Sequence, residues 1–290
     1  MFSYDKSKSK SSVTESFPIR INLFGAPTDT LQYTEKHGGI VVNASAIMSD
    51  GSYPITVTVQ DNADKGIEYE SVDCKNIDTN FYKTITDNCG IPVKDVKIIT
   101  CSQIPYKGSG LGTSSILIYG ICKCLYKYYN IYISQEELWS LTLDIEQLLG
   151  KGGWQDAIGA SINGIKFIRV NKHREYYILG IKNTNWLNKH IQIIFTGKTR
   201  NASTVLQKSI ENLDKYGYKL KLISYLGFLS IIIHNAKLLK WCIRKTHAIS
   251  SKYNDLYGVN IEVDNVLGAG GGGYGIKMVD NAKDNDFKLI

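Results

Sequence analysis

The alternation of apolar and polar positions is clearest early in the chain. In Pro18–Gly25, PIRINLFG, apolar side chains fall on every second residue until the pattern breaks at APTDT, as expected of a strand that feeds a loop. GIVVNASAI, YPITVTVQ and DVKIITCSQI continue as strands, so the first part of the chain is mostly sheet. The period then changes. From Ser114, SSILIYGICKCLYKYY spaces its apolar residues by three and four, the pattern of a helix laying one face on that sheet. A second helix opens at Ser134, which forms a capping box with Glu137, and runs through EELWSLTLDIEQLL until GKGG stops it. ASINGIKFIRV reads as a strand pair closed at Asn163-Gly164. HIQIIFTGKTRNASTVLQKSIENL reads as strand, loop and helix, and Lys219 to about Ser250 as mostly long helix. VDNVLGAGGGGYGIKMVD sets a glycine-dominated loop between apolar runs, with a strand after it.

Composition narrows the class. With 43% hydrophobic residues among 290, the chain can bury one large core or two modest ones and is far too apolar to be disordered. A soft division near Gly180 separates a sheet-and-helix half from an α+β half, and the polar residues 1–16, containing SKSKSSVTES, read as a flexible arm. The net charge is +7, but the lysines are scattered and form no block of like charge. That favours a protein handling anionic phosphates over one binding nucleic acid. The six cysteines include no CxxC pair and no histidines at zinc spacing, so free thiols in a reducing compartment are expected. The most apolar window, Leu222–Ile233, is shorter than the roughly 20 residues of a membrane span, and the N-terminus lacks an apolar leader. A cytoplasmic protein with no membrane partner is expected.

The candidate chemistry sits where the period changes. In Ile104–Tyr126, IPYKGSGLGTSSILIYGICKCLY, glycines and hydroxyl residues run directly into a helix. A helix N-terminus offers unpaired N–H groups and the positive end of the dipole, so a glycine loop entering it can wrap its amides around an anion. Gly108, Gly110 and Gly112 permit the required positive φ angles, while Thr113, Ser114 and Ser115 supply hydroxyls for phosphate or magnesium. A nucleotide triphosphate is the expected occupant. No Lys-Ser or Lys-Thr pair follows the glycines, which excludes a Walker-type loop, and no acidic residue stands where a dinucleotide fold would hold a ribose.

IPYKGSGLGTSS resembles the second motif of the GHMP kinases, the family of galactokinase, mevalonate kinase and homoserine kinase. PIRINLFGAPTDT is similar to the first motif and LGAGGGGYGIKMV to the third, so the resemblance runs from Pro18 to Val279 in the family's order. It implies a two-lobed α+β GHMP kinase fold: an N-terminal ATP-binding lobe resembling ribosomal protein S5 domain 2 over residues 17–180, and a ferredoxin-like α+β lobe over 181–290. EKHGGIVVNASAI, GGWQDAIG and FTGKTRNASTVLQ are similar to the fucokinase branch, whose GG-x-x-D pattern also occurs in heptose 7-phosphate kinases.

What the resemblance implies can be put residue by residue. The loop Lys107, Gly108, Ser109, Gly110, Leu111, Gly112, Thr113, Ser114 and Ser115 would hold ATP. Glu146 would coordinate Mg²⁺ with Ser114, and Asp156, ten positions beyond Glu146, would face the attacking sugar hydroxyl as candidate base. Arg20 would keep that carboxylate ionised and steady the transferring group. Asp29 would accept hydrogen bonds from sugar hydroxyls, with His37 and Gly38 as further sugar contacts. Gly271 and Gly272, within the run Gly270–Gly273, would bring backbone amides to the site. Trp154 either stacks on the sugar or packs the turn, and Lys198 and Arg200 match a branch motif without an evident role.

Two positions depart from the branch. Ala26-Pro27-Thr28-Asp29 replaces Gly-Trp-Ser-Asp, and Ala157 replaces the glutamine that often follows the base, which puts the sugar in doubt. The expectation is a sugar 1-kinase using ATP and Mg²⁺ on L-fucose or a similar sugar, as monomer or homodimer. A D-glycero-D-manno-heptose 7-phosphate 1-kinase and a non-catalytic sensor of the same fold are the alternatives.

Overall fold

The computed structural model describes residues 11–73, 78–104, 108–150, 152–197, 202–253, 263–268, 270, 272–282 and 285–290. The chain opens with strands β1 (Ser12–Phe17) and β2 (Ile19–Phe24), split at Pro18, which has no N–H to donate to a ladder. Helix α1 (Leu31–His37) leads into the long β3 (Gly39–Met48), followed by β4 (Ile55–Asp61), β5 (Ile67–Ser71), α2 (Thr79–Asn88) and β6 (Val96–Ser102). Three helices come next: α3 (Thr113–Tyr128), α4 (Gln135–Leu149) and α5 (Trp154–Ser161). Then follow β7 (Ile165–Val170), β8 (Tyr176–Ile181), α6 (Asn185–His190), β9 (Ile191–Phe195), α7 (Ala202–Ile232) and α8 (Ala236–Tyr253). The short strands β10 (Asn265–Val266), β11 (Tyr274–Met278) and β12 (Phe287–Leu289) complete the chain.

These strands form three sheets, ordered β1-β4-β6-β5, β12-β3-β7-β8 with β2 also on β3, and β10-β11-β9. In the first, Ile55, Val57 and Val59 bury one face of β4 beneath α3. Gly120 permits that approach, since a Cβ there would lie 2.7 Å from the Phe17 ring. In the second, β2 is buried along its whole length because α5 and α7 both pack on it. Arg20 and Asn22 meet α5, and a register shift between Asn22 and Phe24 turns Phe24 onto α7, where Gly227 leaves room for its ring. The strand therefore presents polar groups toward α5 and apolar ones toward α7.

Several expectations change. Ser12–Ser16, assigned to a flexible arm, belongs with Phe17 to strand β1, paired residue for residue with β4. Its few apolar residues concealed it: Val13 and Phe17 point inward, and Glu15, on the same side, is met by Lys123 and Lys127 of α3. Asn163-Gly164 closes no hairpin, because Ala160 and Ser161 end α5 and the partners of β7 are β3 and β8. Gly164, at φ +95°, instead turns the chain from helix into strand. The long helical stretch breaks at Ile233–Asn235, where His234 takes φ +54° and the Asn235 side chain accepts the Leu238 N–H at 3.0 Å, starting α8. The capping box at Ser134 and Glu137 is present as expected, and Gly150 follows the end of α4. Gly180 lies within β8, and β12 pairs with β3, so the last strand belongs to a sheet of the N-terminal half. No helix among the described residues is long and apolar enough to cross a membrane.

Candidate active site

The glycine loop takes the conformation its sequence requires. Gly108, Gly110 and Gly112 have φ of +70°, +77° and +79°, and Gly112 is the N-cap of α3. That helix has neither a side-chain cap nor an acid in its first turn, which leaves the amides of Thr113–Ser115 to an incoming anion. The third glycine-rich stretch docks on this loop. A Cβ on Gly110 would come 2.7 Å from the Leu267 carbonyl oxygen, and the Tyr274 N–H donates to the Ser109 carbonyl at 2.9 Å. Gly273 lies so close to Ser109 that a side chain there would collide with its backbone.

Three carboxylates converge beside the loop. Asp156, in the first turn of α5, is paired with the Nε of Arg20, whose Nη1 donates to the Gly110 carbonyl at 2.6 Å. One guanidinium thereby ties the glycine loop to the acid. Glu146, on the last turns of α4, accepts from the Ser115 hydroxyl, and its Oε2 is buried with no hydrogen-bond partner among the described residues. Gly152 passes against that carboxylate with no space for a side chain.

Asp29 is held by Gln155: the backbone N–H donates to Oδ2 at 3.0 Å and the side-chain amide to Oδ1 at 3.1 Å. Gln155 is itself fixed, its Oε1 accepting from Asn22 at 2.8 Å and its carbonyl from Asn43 at 3.0 Å. The Asp29 carboxylate thus caps α5 from a distant loop, an arrangement favoured by the helix dipole. Burial, and after it the charge of Asp156, pushes Asp29 up to about 6. Burial and the charges of Asp156 and Asp29 push Glu146 well above the usual carboxylate range, against the lowering effect of the Ser115 hydroxyl.

These groups line one open cavity of about 500 Å³. It brings together Arg20, Asp29, Glu146 and Asp156 with Gly108, Ser109, Gly110, Gly112 and the hydroxyls of Thr113, Ser114 and Ser115. Ser115, rather than the expected Ser114, bonds Glu146, while Ser114 is exposed on the cavity wall. His37 and Gly38 do not reach this cavity; they line a separate groove, with the His37 ring paired to Asp214 at 3.0 Å. The Trp154 ring packs the turn against Tyr176, centroids 5.8 Å apart, and is 4% exposed. Leu111 is buried and does not line the cavity; Gly272 does not line it either, and among the described residues Gly268 is the third-motif glycine that does. Lys107, Gly271, Lys198 and Arg200 lie outside the described residues.

Sequence reasoning missed Gln155, Asn22 and the wall formed by Asp78, Asn80, Phe81 and Thr84 around the start of α2. Asn22 was within reach, since it stands two residues from Arg20 on the same strand face. The start of α2 also carries a signal, because Asp78 caps it by accepting the Phe81 N–H at 3.2 Å.

An orphaned buried carboxylate oxygen beside serine and threonine hydroxyls is an all-oxygen donor set, suited to a hard divalent cation. Residues 76–164 match the family described as GHMP kinases N terminal domain. The chain carries a GHMP kinase N-terminal domain. It is 31% identical over 229 residues to a bifunctional fucokinase/GDP-fucose pyrophosphorylase of Arabidopsis thaliana, covering 67% of this chain and 21% of the relative. It is 28% identical over 214 residues to a D-glycero-alpha-D-manno-heptose 7-phosphate kinase of Campylobacter jejuni, covering 65% of this chain and 60% of the relative. The chain therefore spans about a fifth and three fifths of these curated relatives. Among solved structures, galactokinase of Lactococcus lactis complexed with galactose superposes with a TM-score of 0.70 at 16% identity, covering 94% of this chain and 86% of that one. The mixed α+β architecture is the GHMP kinase fold.

Proposed function

We propose that this GHMP kinase transfers the γ-phosphoryl group of ATP to the anomeric hydroxyl of L-fucose or a similar sugar, giving the sugar 1-phosphate and ADP. One arrangement carries the reading: Arg20 links the glycine loop at Gly110 to Asp156, in a cavity that also holds Asp29. The loop amides and the α3 N-terminus bind the phosphates of ATP. Asp156 accepts the hydrogen of the attacking hydroxyl, and Arg20, paired with it, holds it in place while facing the oxygens of the transferring group. Asp29, held by Gln155, accepts from the other sugar hydroxyls. Glu146 with the hydroxyls of Ser114 and Ser115 would hold Mg²⁺, which when bound neutralises charge on the phosphate oxygens.

The substrate choice follows from charge. Burial and the charge of Asp156 raise the proton affinity of Asp29, and burial with the charges of Asp156 and Asp29 raises that of Glu146, so a second phosphate on the sugar would meet an unfavourable field that a neutral sugar does not. The similarity to the Campylobacter jejuni heptose 7-phosphate kinase supports that sugar phosphate as the second reading. Release of ADP from Mg-ATP over a panel of L-fucose, galactose, mannose and heptose 7-phosphate separates the two. Turnover is expected with a neutral sugar, falling about a hundredfold or more in Asp156→Asn while ATP binding persists. Turnover with heptose 7-phosphate alone would replace the first reading by the second. Full activity in Asp156→Asn, or ATP binding without turnover on any sugar, would sink the proposed mechanism.

A further inference from the structure

The groove that holds His37 and Gly38 has its own chemistry. It encloses about 480 Å³ between the β3–β7 end of the central sheet and α7, and shares no lining residue with the catalytic cavity. Ile40, which lines it, exchanges hydrogen bonds with the Thr28 side chain, at 3.1 Å from its N–H and 2.8 Å to its carbonyl.

Three cations gather in the groove. Arg169 is the penultimate residue of β7, Lys172 follows in the turn, and Lys221 reaches in from α7. Arg169 and Lys172 are exposed and pair with no carboxylate among the described residues. Lys221 donates to the carbonyls of His37 at 2.9 Å and Gly38 at 3.3 Å. The nearby acids have partners other than the three cations: Asp214 pairs with His37, Glu35 with Arg174 at 2.9 Å and Glu175 with Asn171 at 2.6 Å. Burial, followed by the charges of Lys172 and Arg169, lowers the Lys221 ammonium below its ordinary range, as close, uncompensated like charges would.

The opposite wall differs. Tyr218, Leu222 and Tyr225 stand on successive turns of α7 and are 60%, 59% and 46% exposed. The β7 side of the groove therefore carries Arg169 and Lys172, while α7 sets Lys221 beside aromatic and apolar side chains, a combination that suits a ligand with an anionic end and a flat or weakly polar body. We propose that this groove is a second binding site, taking a small phosphate ester whose phosphoryl group lies among Arg169, Lys172 and Lys221 and whose sugar or base lies against Tyr218 and Tyr225. An ester phosphate relieves the repulsion among the three cations and accepts the guanidinium hydrogen bonds, while its body covers the exposed rings.

The test is isothermal titration calorimetry of the whole chain with potassium phosphate, glucose 6-phosphate and adenosine 5′-monophosphate. The proteins compared are wild type, Arg169→Ala/Lys172→Ala and, as the control in the other cavity, Ser114→Ala. The double variant alters exposed side chains and should melt as wild type does. At least one ester should bind more tightly than bare phosphate, lose about tenfold or more in affinity in the double variant and be unaffected by Ser114→Ala. The sugar and nucleotide arms identify which body the tyrosines accept. Failure of all three probes to bind, or equal affinity in wild type and the double variant, would overturn the site. Phosphate binding as tightly as both esters would overturn the role of the tyrosines and the ester class with it.

Discussion

Asp29 bears two demands at once, since it caps α5 and occupies the proposed sugar pocket. Its carboxyl is pushed from 3.8 up to about 6. A group whose folded value lies above its unfolded one is more protonated in the folded state, so its stabilising effect is complete below about pH 4 and lost as pH rises through 6. Two units correspond to about 3 kcal/mol sacrificed at neutral pH. Asp29→Asn is therefore expected to unfold at higher urea than wild type at pH 7.5, the gain shrinking toward pH 4. A loss at pH 7.5 would mean that the Gln155 hydrogen bonds to the carboxylate outweigh its burial. Of the groups at this site, Arg20, Asp29, Glu146 and Asp156 were legible because each sits in a recognisable motif at defined spacing. Gln155 was not, although it adjoins Asp156, because its work depends on a partner 126 positions away. His37 failed for the converse reason: proximity in sequence to Asp29 does not fix direction, and the intervening helix α1 carries it to another face.

The helices around the site depend on local backbone geometry. Gly112 combines the N-cap of α3 with φ +79°, and a Cβ on it would stand 2.9 Å from Asp156 Oδ1 and 3.2 Å from the Arg20 side chain. Gly112→Ala is expected to cost about 1 kcal/mol or more through the left-handed conformation and to displace the Arg20–Asp156 pair. Catalytic rate should thus fall far more than the melting temperature, and wild-type turnover in this variant would refute the proposed placement of that pair. At the other end of α5, Lys166 is buried and donates to Ser45 at 2.7 Å and to the carbonyls of Ile162 and Gly164 at 2.7 and 2.9 Å. Burial lowers it from 10.5 to about 7. The unfolded chain then binds more protons between those values, so stability rises with pH across that window and is lost as pH falls toward 7. Lys166→Met should flatten that rise, which urea unfolding at pH 7 and pH 10 would measure; an unchanged slope would place the effect elsewhere. Periodicity made α3 and α4 legible because long amphipathic helices repeat their signal. It missed β1 because an inward glutamate neutralised by lysines of α3 breaks the apolar alternation.

At the scale of the whole molecule, the division near Gly180 drawn from composition meets a different kind of connectivity. The boundary falls inside β8, whose ladder to β7 spans Ile165–Val170, and the pairing of Phe287 with Met48 joins residues too distant for any local pattern to reveal. The closure is dense. The Ile290 N–H donates to Ser45 at 3.0 Å, the Gly164 N–H donates to Ile290 at 2.7 Å, and the Leu289 carbonyl accepts from Thr184 and Asn188, both at 2.9 Å. On the face toward α7, Phe24 sits on Gly227 and Phe167 meets Phe228 at 5.3 Å. A fragment of residues 17–180 would keep the proposed catalytic acids but lose β1, β12 and α7 together. It would expose the apolar face of β2 and β3 and leave Ala46–Met48 of β3 without the β12 partner. We expect that fragment to give no cooperative thermal transition, and the whole chain to unfold in one step, with circular dichroism and tryptophan fluorescence coinciding. A cooperative melt of the fragment, or two separated transitions in the whole chain, would show that the lobes are independent folding units and that the shared sheet adds little to the stability of the site.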